Sequence, residues 1–227
     1  MFKSKLRPIV ITQAEHGKLA GTLAFLWGNA HFDRPPVDFF SFVAGVTLHD
    51  RGYGLLDNAP LLATPDEEWL QITRAGFYQP CANPVVDLIT KLHLRRLLRG
   101  NLSTAPRQAV YAEMQTVIQA QWAAQRLNQA EFERIDRMTN FCDDVAFSFC
   151  FESPSQGKVK VFPKNDQDNE VDLHYTMIPA ITGSEILVNP WPFAVESYTG
   201  YLMGYQQEDY PARLEPVIVP FHIGKAR

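Results

Sequence analysis

Histidine and aspartate stand next to each other where a nearly all-apolar segment of this sequence ends. The segment Phe39–Leu48 leads directly into His49 and Asp50. Gly52 and Gly54 then interrupt the helical pattern. A neutral imidazole and a carboxylate are both metal ligands, so this pair can share one divalent cation or bind one of two neighbouring cations. A helix end closed by a polar cap and a turn explains the same two residues without any metal.

Three further polar residues fall on the inward sides of other predicted helices. His16 lies on the apolar stripe of the first helix, where a core histidine bonded to a carbonyl is the alternative interpretation. His93 lies on the apolar side of the fourth helix. In the sixth helix the three-and-four spacing of apolar residues brings Asp143 near the stripe, whereas Asp144 points away from it and is expected to be exposed or bonded locally.

Ionisable side chains that point into an apolar interior need compensation. Burying an unpaired carboxylate costs several kcal/mol, whereas a divalent cation neutralises the carboxylate and accepts imidazole nitrogens. The sequence therefore predicts a metal site built from His16, His49, Asp50, His93 and Asp143.

An arginine follows His93 by one helical turn. Arg96 is close enough to that histidine to contact a phosphate group of a ligand, because a guanidinium fork matches phosphate oxygens. A solvated basic face that also includes Lys91 is the other interpretation of the same residue.

Six helices and a group of strands must position these residues. Apolar stripes and capping signals predict helices over residues 13–29, 37–50, 67–77, 84–98, 106–127 and 128–151. The period changes to two after residue 157, which predicts strands at 158–162, 171–177, 186–188, 201–203 and 216–219, with the short strand 9–11 as a pairing partner. We expect an α+β, mainly α fold, with a helical domain over residues 1–152 and a small C-terminal antiparallel β segment over residues 153–227 packed on it.

Composition narrows the class of partner. The chain has 227 residues and a formal net charge of -4, and its basic residues are dispersed, so we expect a small-molecule substrate and neither nucleic acid nor a membrane. The N-terminal residues lack a signal-peptide pattern, and no apolar run is long enough to span a bilayer. Three cysteines without a C-x-x-C pair argue against a disulfide framework. We therefore expect a cytoplasmic protein, and the sequence leaves homo-oligomerisation open.

The order of the candidate ligands resembles the HD-domain superfamily of metal-dependent phosphohydrolases. His49–Pro60 is similar to the H-D-x-G-[WY]-x-x-x-D-x-x-P motif of an uncharacterised bacterial HD-like group. Leu88–His93 loosely matches its L-x-x-x-H helix, and Asp143–Ala146 and Pro190–Phe193 match its D-x-[LV]-[SA] and P-W-P-F motifs. Tyr53 stands where the group has tryptophan, and the alanine that ends the third motif stands where serine is usual.

The resemblance implies an HD-like helical bundle that hydrolyses a small phosphate ester or nucleotide with metal-activated water. It implies one or two divalent ions (Mn, Fe, Co, Mg, Ni or Zn) held by His16, His49, Asp50 and Asp143, with His93 as a second-metal ligand or a phosphate contact. Asp50, His93 and Arg96 are then the expected catalytic residues. Two alternatives stay open: a di-iron oxygenase on the same scaffold, and a catalytically silent, metal-stabilised module whose β segment binds a protein partner.

Overall fold

Six α-helices pack against one seven-stranded sheet in the computed structural model, which describes residues 1–60, 63–125 and 127–226. The helices are α1 (Gln13–Leu26), α2 (Phe39–Thr47), α3 (Asp66–Tyr78), α4 (Pro84–Arg99), α5 (Ala105–Gln125) and α6 (Gln129–Cys150), and a short 3₁₀ helix covers Tyr53–Asn58. The strands are β1 (Phe2–Lys3), β2 (Ile9–Ile11), β3 (Ser155–Val161), β4 (Val171–Ile178), β5 (Ser184–Asn189), β6 (Tyr198–Gln206) and β7 (Pro216–Lys225). Within the described ranges no helix combines the length and apolarity that crossing a bilayer requires.

The sheet joins strands from both ends of the chain. Its order is β1-β2-β6-β7-β5-β4-β3, and all neighbours are antiparallel except β5 and β7, which are parallel. The predicted pairing of residues 9–11 with the C-terminal strands is confirmed, because Ile9 lies opposite Gln206 and Ile11 opposite Gly204. The predicted fold class is wrong: the sheet is mixed and spans the chain, so this is not a mainly α bundle carrying a small antiparallel β segment.

Local capping signals explain where the helices begin. The Thr12 side chain accepts a hydrogen bond from the backbone of Glu15, and the Asn128 side chain accepts two at the start of α6, which confirms both predicted starts. The second helix is shorter than predicted, because α2 ends at Thr47 and a turn follows it. The predicted passage of the fifth helix through residue 126 lies outside the described residues.

Two glycines of α1 allow that helix to approach the end of α2 closely. A Cβ atom added at Gly17 would lie 2.5 Å from the Thr47 carbonyl oxygen, and one added at Gly21 would overlap the Thr47 side chain. The contact between α1 and α2 therefore depends on the absence of side chains at these positions. Because Gly17 directly follows His16, the same contact brings His16 towards the turn that follows α2.

A buried carboxylate fixes α1 to the sheet. Glu15 is 7% exposed, and its Oε2 atom accepts the backbone N–H of Met203 in β6 at 2.8 Å. Glu15 occupies the position from which a capping box would reach back to the helix start, yet its carboxylate bonds the sheet and Lys18. The helix that carries His16 is thus held against a strand nearly two hundred residues further along the chain.

Candidate metal centre

Four side chains from three parts of the fold lie close together and are called the cluster here. His16 comes from α1, His49 and Asp50 come from the turn after α2, and Asp143 comes from α6. The His16 Nε2 atom lies 3.0 Å from His49 Nε2, and Asp143 Oδ1 lies 3.2 Å from both nitrogens. Asp50 Oδ2 lies 3.4 Å from His16 Nε2 and 3.7 Å from His49 Nε2. Ligand atoms that each bond one ion at about 2.0–2.2 Å stand about 3–3.6 Å apart, so the spacing of the His16, His49 and Asp143 atoms fits a shared cation.

The two histidines differ in how their second ring nitrogen is held. His49 Nδ1 lies 2.6 Å from the Val46 carbonyl oxygen and donates its proton to it, which leaves a lone pair on Nε2 directed into the cluster. A backbone carbonyl in this role is a common support for a metal-binding histidine. The His16 ring contacts the Cys150 thiol, and its Nδ1 atom has no nitrogen or oxygen partner among the described residues.

The charges of the cluster favour a cation at its centre. Burial alone would raise the pKa of Asp143, but the neighbouring His93 and hydrogen bonds from His16 and His49 outweigh it and hold that pKa well below its usual value. Burial alone would lower the pKa of His16, yet hydrogen bonds to Asp143 and Asp50 raise it well above the ordinary value. A site that stabilises a proton on buried His16 is a site that stabilises positive charge, which a divalent cation also supplies.

His93 contacts the cluster through Asp50. Its Nε2 atom lies 2.8 Å from Asp50 Oδ1, and its Nδ1 atom lies 2.8 Å from Arg96 Nη2. Because a guanidinium can only donate, His93 Nδ1 must accept, and the neutral ring therefore carries its proton on Nε2 and donates it to Asp50. Burial and the neighbouring His49 lower the pKa of His93, in keeping with a neutral ring. His93 thus orients Asp50 in this arrangement.

A second group of potential ligands overlaps the cluster at His49 and Asp50. His49, Asp50 and His93 also offer ligand atoms within reach of one ion. Ligation by His93 Nε2 would move the ring proton to Nδ1, where it would face the N–H of Arg96 and break that contact. The geometry therefore favours one cation position at His16, His49 and Asp143, with Asp50 beside it.

The turn that carries His49 and Asp50 is fixed by the residue that follows them. Arg51 donates to the carbonyl oxygens of Gly76 and Phe77 at the end of α3, at 2.9 and 3.2 Å. Its Nη2 atom also bonds Asp87 Oδ1 of α4 at 2.7 Å. Gly52 then turns the chain with a left-handed backbone (φ +94°) and packs against Gly76, where a Cβ atom would lie 2.8 Å from the neighbouring Cα.

A pocket of about 530 Å³ opens onto this cluster. Two members of the cluster, Asp50 and Asp143, line it together with His93. The rest of the lining is an apolar wall and a few polar side chains: Phe2, Tyr53, Leu56, Trp69, Leu97 and Phe147; and Gln13, Thr64, Asp66, Arg107, Asn140 and Asp144. Concave sites with apolar walls and a few converging polar groups are the usual form of small-molecule sites. The carboxylates of Asp50 and Asp143 and the His93 ring therefore border a site that a small molecule can enter, with His16 and His49 buried behind them.

The structure brings together all five residues predicted as ligands, and it places Arg96 behind them. Arg96 Nη2 lies 3.6 Å from Asp143 Oδ2, while its Nη1 atom bonds the Asp136 carboxylate, and Arg96 is not among the pocket-lining residues. The arginine that does line the pocket is Arg107 of α5, whose guanidinium lies 4.8 Å from the centre of the Trp69 ring and pairs with Asp66. No local pattern in the sequence pointed to it.

Asp144 lies closer to the site than its position on the helix predicts. It lines the pocket, and its Oδ2 atom accepts a hydrogen bond from the Tyr175 hydroxyl of β4 at 3.0 Å, so its partner is on the sheet and not the expected local one. Burial raises the pKa of the Asp144 carboxyl. Its carboxylate is directed to the sheet, whereas that of Asp143 is directed to the two histidines.

Comparison with known proteins places the chain in one family. A family model described as "Protein of unknown function (DUF3891)" matches residues 3–204, and the chain belongs to that family. No curated protein and no solved structure matches the chain. The resemblance to HD-domain phosphohydrolases is wrong, since the matching family is a different one and the seven-stranded mixed sheet does not occur in a helical bundle of that kind. All candidate ligands lie inside the matched range.

Proposed function

We propose that this protein is a metal-dependent phosphohydrolase that acts on a small phosphorylated molecule. The proposal rests on the convergence of two imidazole nitrogens and an Asp143 oxygen, 3.0–3.2 Å apart, with Asp50 beside them and both carboxylates lining a pocket. The mixed nitrogen and oxygen donor set suits manganese, iron, cobalt, nickel or zinc. When bound, such an ion lowers the pKa of a water molecule and polarises a phosphoryl oxygen.

The protein's own residues would position the metal ligands and balance the charges of the ion and the phosphate. Asp50 and Asp143 together carry the two negative charges that balance one divalent ion, so an anionic substrate meets no excess of negative charge at the ligands. His93 holds Asp50 in place, and Arg96 holds His93. Arg107 adds a positive charge on the pocket wall, where a guanidinium can meet phosphate oxygens. We also propose a cytoplasmic location, which suits three cysteines that are all free.

The direct test is metal analysis of protein purified without chelators, combined with a phosphatase assay. We expect about one divalent ion per chain, and release of inorganic phosphate from 4-nitrophenyl phosphate that stops with EDTA and returns with manganese or cobalt. Iron with an oxygen-sensitive absorption band and no phosphatase activity would instead indicate an oxygenase. Protein that binds an ion but shows neither activity would leave the silent, metal-stabilised module, and protein that binds none of these ions at micromolar concentration would contradict all three functions.

Replacement of His93 separates ligation from positioning. Because the ring is held as a proton donor to Asp50, His93→Ala protein is expected to keep its ion in excess manganese while its phosphatase rate falls about 10- to 100-fold, the usual cost of removing a residue that orients a ligand. Elemental analysis and initial rates on the same preparation measure both effects. Loss of the ion together with the activity would show that His93 is a ligand.

A further inference from the structure

Gln13 presents an unpaired acceptor beside the pocket. The residue is the first of α1, is 5% exposed and lines the pocket. Its backbone N–H donates to both carboxylate oxygens of Asp57, at 3.0 and 3.2 Å, which fixes the position of the residue. Its side-chain Oε1 atom is buried and has no hydrogen-bond partner in the described part of the chain. A buried acceptor without a donor reduces stability, so its presence at a pocket calls for a functional reason.

On each of two helices, an amide side chain stands three residues before a candidate metal ligand. Gln13 precedes His16 by three residues on α1, so both side chains lie on the same helix face one turn apart. Asn140 precedes Asp143 by three residues on α6 and also lines the pocket. Two uncharged amides therefore flank the cluster on the side from which a substrate enters.

The wall of the pocket favours a flat organic group. Tyr53 and Trp69 lie with their ring centres 6.1 Å apart, and Phe147 and Leu97 add further apolar surface. Aromatic rings pack well against such walls and gain specificity from a few polar contacts. An uncharged amide, unlike an arginine or a carboxylate, selects for a neutral hydrogen-bonding group rather than for a charge.

We propose that the pocket binds the organic part of its substrate as an aromatic ring that bears an N–H or O–H donor, and that the Gln13 amide turns its enclosed oxygen towards the pocket to accept this donor. The placement of the phosphoryl group at the cation rests on the proposed function, whereas the contact with Gln13 does not. Gln13 is therefore a residue that determines which phosphate ester is bound.

The test compares probes that differ only in the donor. Phenylphosphonate, which is not hydrolysed, and its 2-, 3- and 4-aminophenyl analogues are titrated calorimetrically into manganese-loaded wild-type protein and into Gln13→Met protein. We expect at least one amino analogue to bind wild-type protein about 10-fold more tightly than phenylphosphonate, and Gln13→Met to abolish this preference without weakening phenylphosphonate binding. An unchanged preference in Gln13→Met protein would overturn the proposal.

A second pair of probes separates the Gln13 contact from the proposed function. Aniline and toluene carry no phosphoryl group, and their binding is compared by saturation-transfer NMR on the same proteins. A Gln13-dependent preference for aniline, without binding of any phosphonate, would support the Gln13 contact and contradict phosphoryl binding at the cation. Absence of any Gln13-dependent preference in either pair would overturn the Gln13 contact.

Thermal unfolding provides a measurement that needs no ligand. Methionine is about as long as glutamine and has no amide, so Gln13→Met removes the unpaired acceptor and is expected to raise the melting temperature by about 2–4 °C. Gln71→Met on the exposed side of α3 is the matched control and should change neither the melting temperature nor the probe preference. A lower melting temperature for Gln13→Met would show that the amide has a structural partner and would contradict the proposal.

Discussion

Alanine in place of Asp143 is expected to remove divalent-metal binding and phosphatase activity together. Asp143 Oδ1 lies 3.2 Å from the Nε2 atoms of both His16 and His49, so its loss removes the carboxylate of this group of candidate ligands and the negative charge that it would supply to the ion. Replacing a residue that only orients a ligand already lowers metal affinity about 10- to 100-fold. For Asp143→Ala we therefore expect metal affinity to fall more than about 100-fold. Elemental analysis after dialysis and titration with manganese measure this loss, and Asp50→Ala should behave in the same way.

The next residue along the helix provides the control for this variant. Asp144 has the same side chain and also lines the pocket, but its carboxylate accepts a hydrogen bond from Tyr175 and lies outside the group of potential ligands. Asp144→Ala is expected to keep about one ion per chain and to unfold at nearly the same temperature in the presence of manganese. Full metal retention in Asp143→Ala, or equal loss in both variants, would refute the ligand assignment.

The second large effect is expected from a single methyl group in α1. Gly17→Ala places a Cβ atom 2.5 Å from the Thr47 carbonyl oxygen, and neither backbone can move without separating α1 from α2. Overpacking of this kind costs about 1–3 kcal/mol, whereas the better helix propensity of alanine returns about 1 kcal/mol. We expect a lower unfolding free energy in denaturant titrations, and metal affinity reduced about 10-fold because His16 and His49 move apart.

A second glycine shows whether the effect comes from this contact. A Cβ atom added at Gly54 meets nothing within 4 Å, and its backbone φ is not positive. Gly54→Ala is therefore expected to change the unfolding free energy by no more than about 0.5 kcal/mol and to leave metal affinity unchanged. If Gly17→Ala unfolds at the same denaturant concentration as Gly54→Ala, then the close approach of α1 and α2 does not hold the site together.

The sequence was informative wherever the determining interactions are local. The caps at Thr12 and Asn128 mark helix starts, and the alternation after residue 157 marks strands, because each depends on residues a few positions apart. The candidate ligands could be found for a related reason. Each is a polar residue on a stripe or segment that is otherwise apolar, and such positions converge in a shared interior.

The fold class could not be obtained in this way, because it depends on pairings between distant residues. Nothing near Ile9 specifies that it lies opposite Gln206, and nothing in β5 specifies a parallel rather than an antiparallel neighbour. Short motifs such as His49–Pro60 favoured an unrelated scaffold, since a ligand pattern can occur on more than one fold. Arg107 was missed for the same reason, because only the packing of α5 against α3 brings it to the pocket.

The bond between Glu15 and Met203 has a consequence for the order of events during synthesis of the chain. The helix that bears His16 is anchored to β6, and closing a connection of that length is slow because the entropy of the intervening chain opposes it. While β6 is still inside the ribosome, the nascent chain lacks this anchor. The candidate ligand atoms are then not yet held in their final arrangement. Assembly of the candidate ligand set is thereby coupled to completion of the sheet.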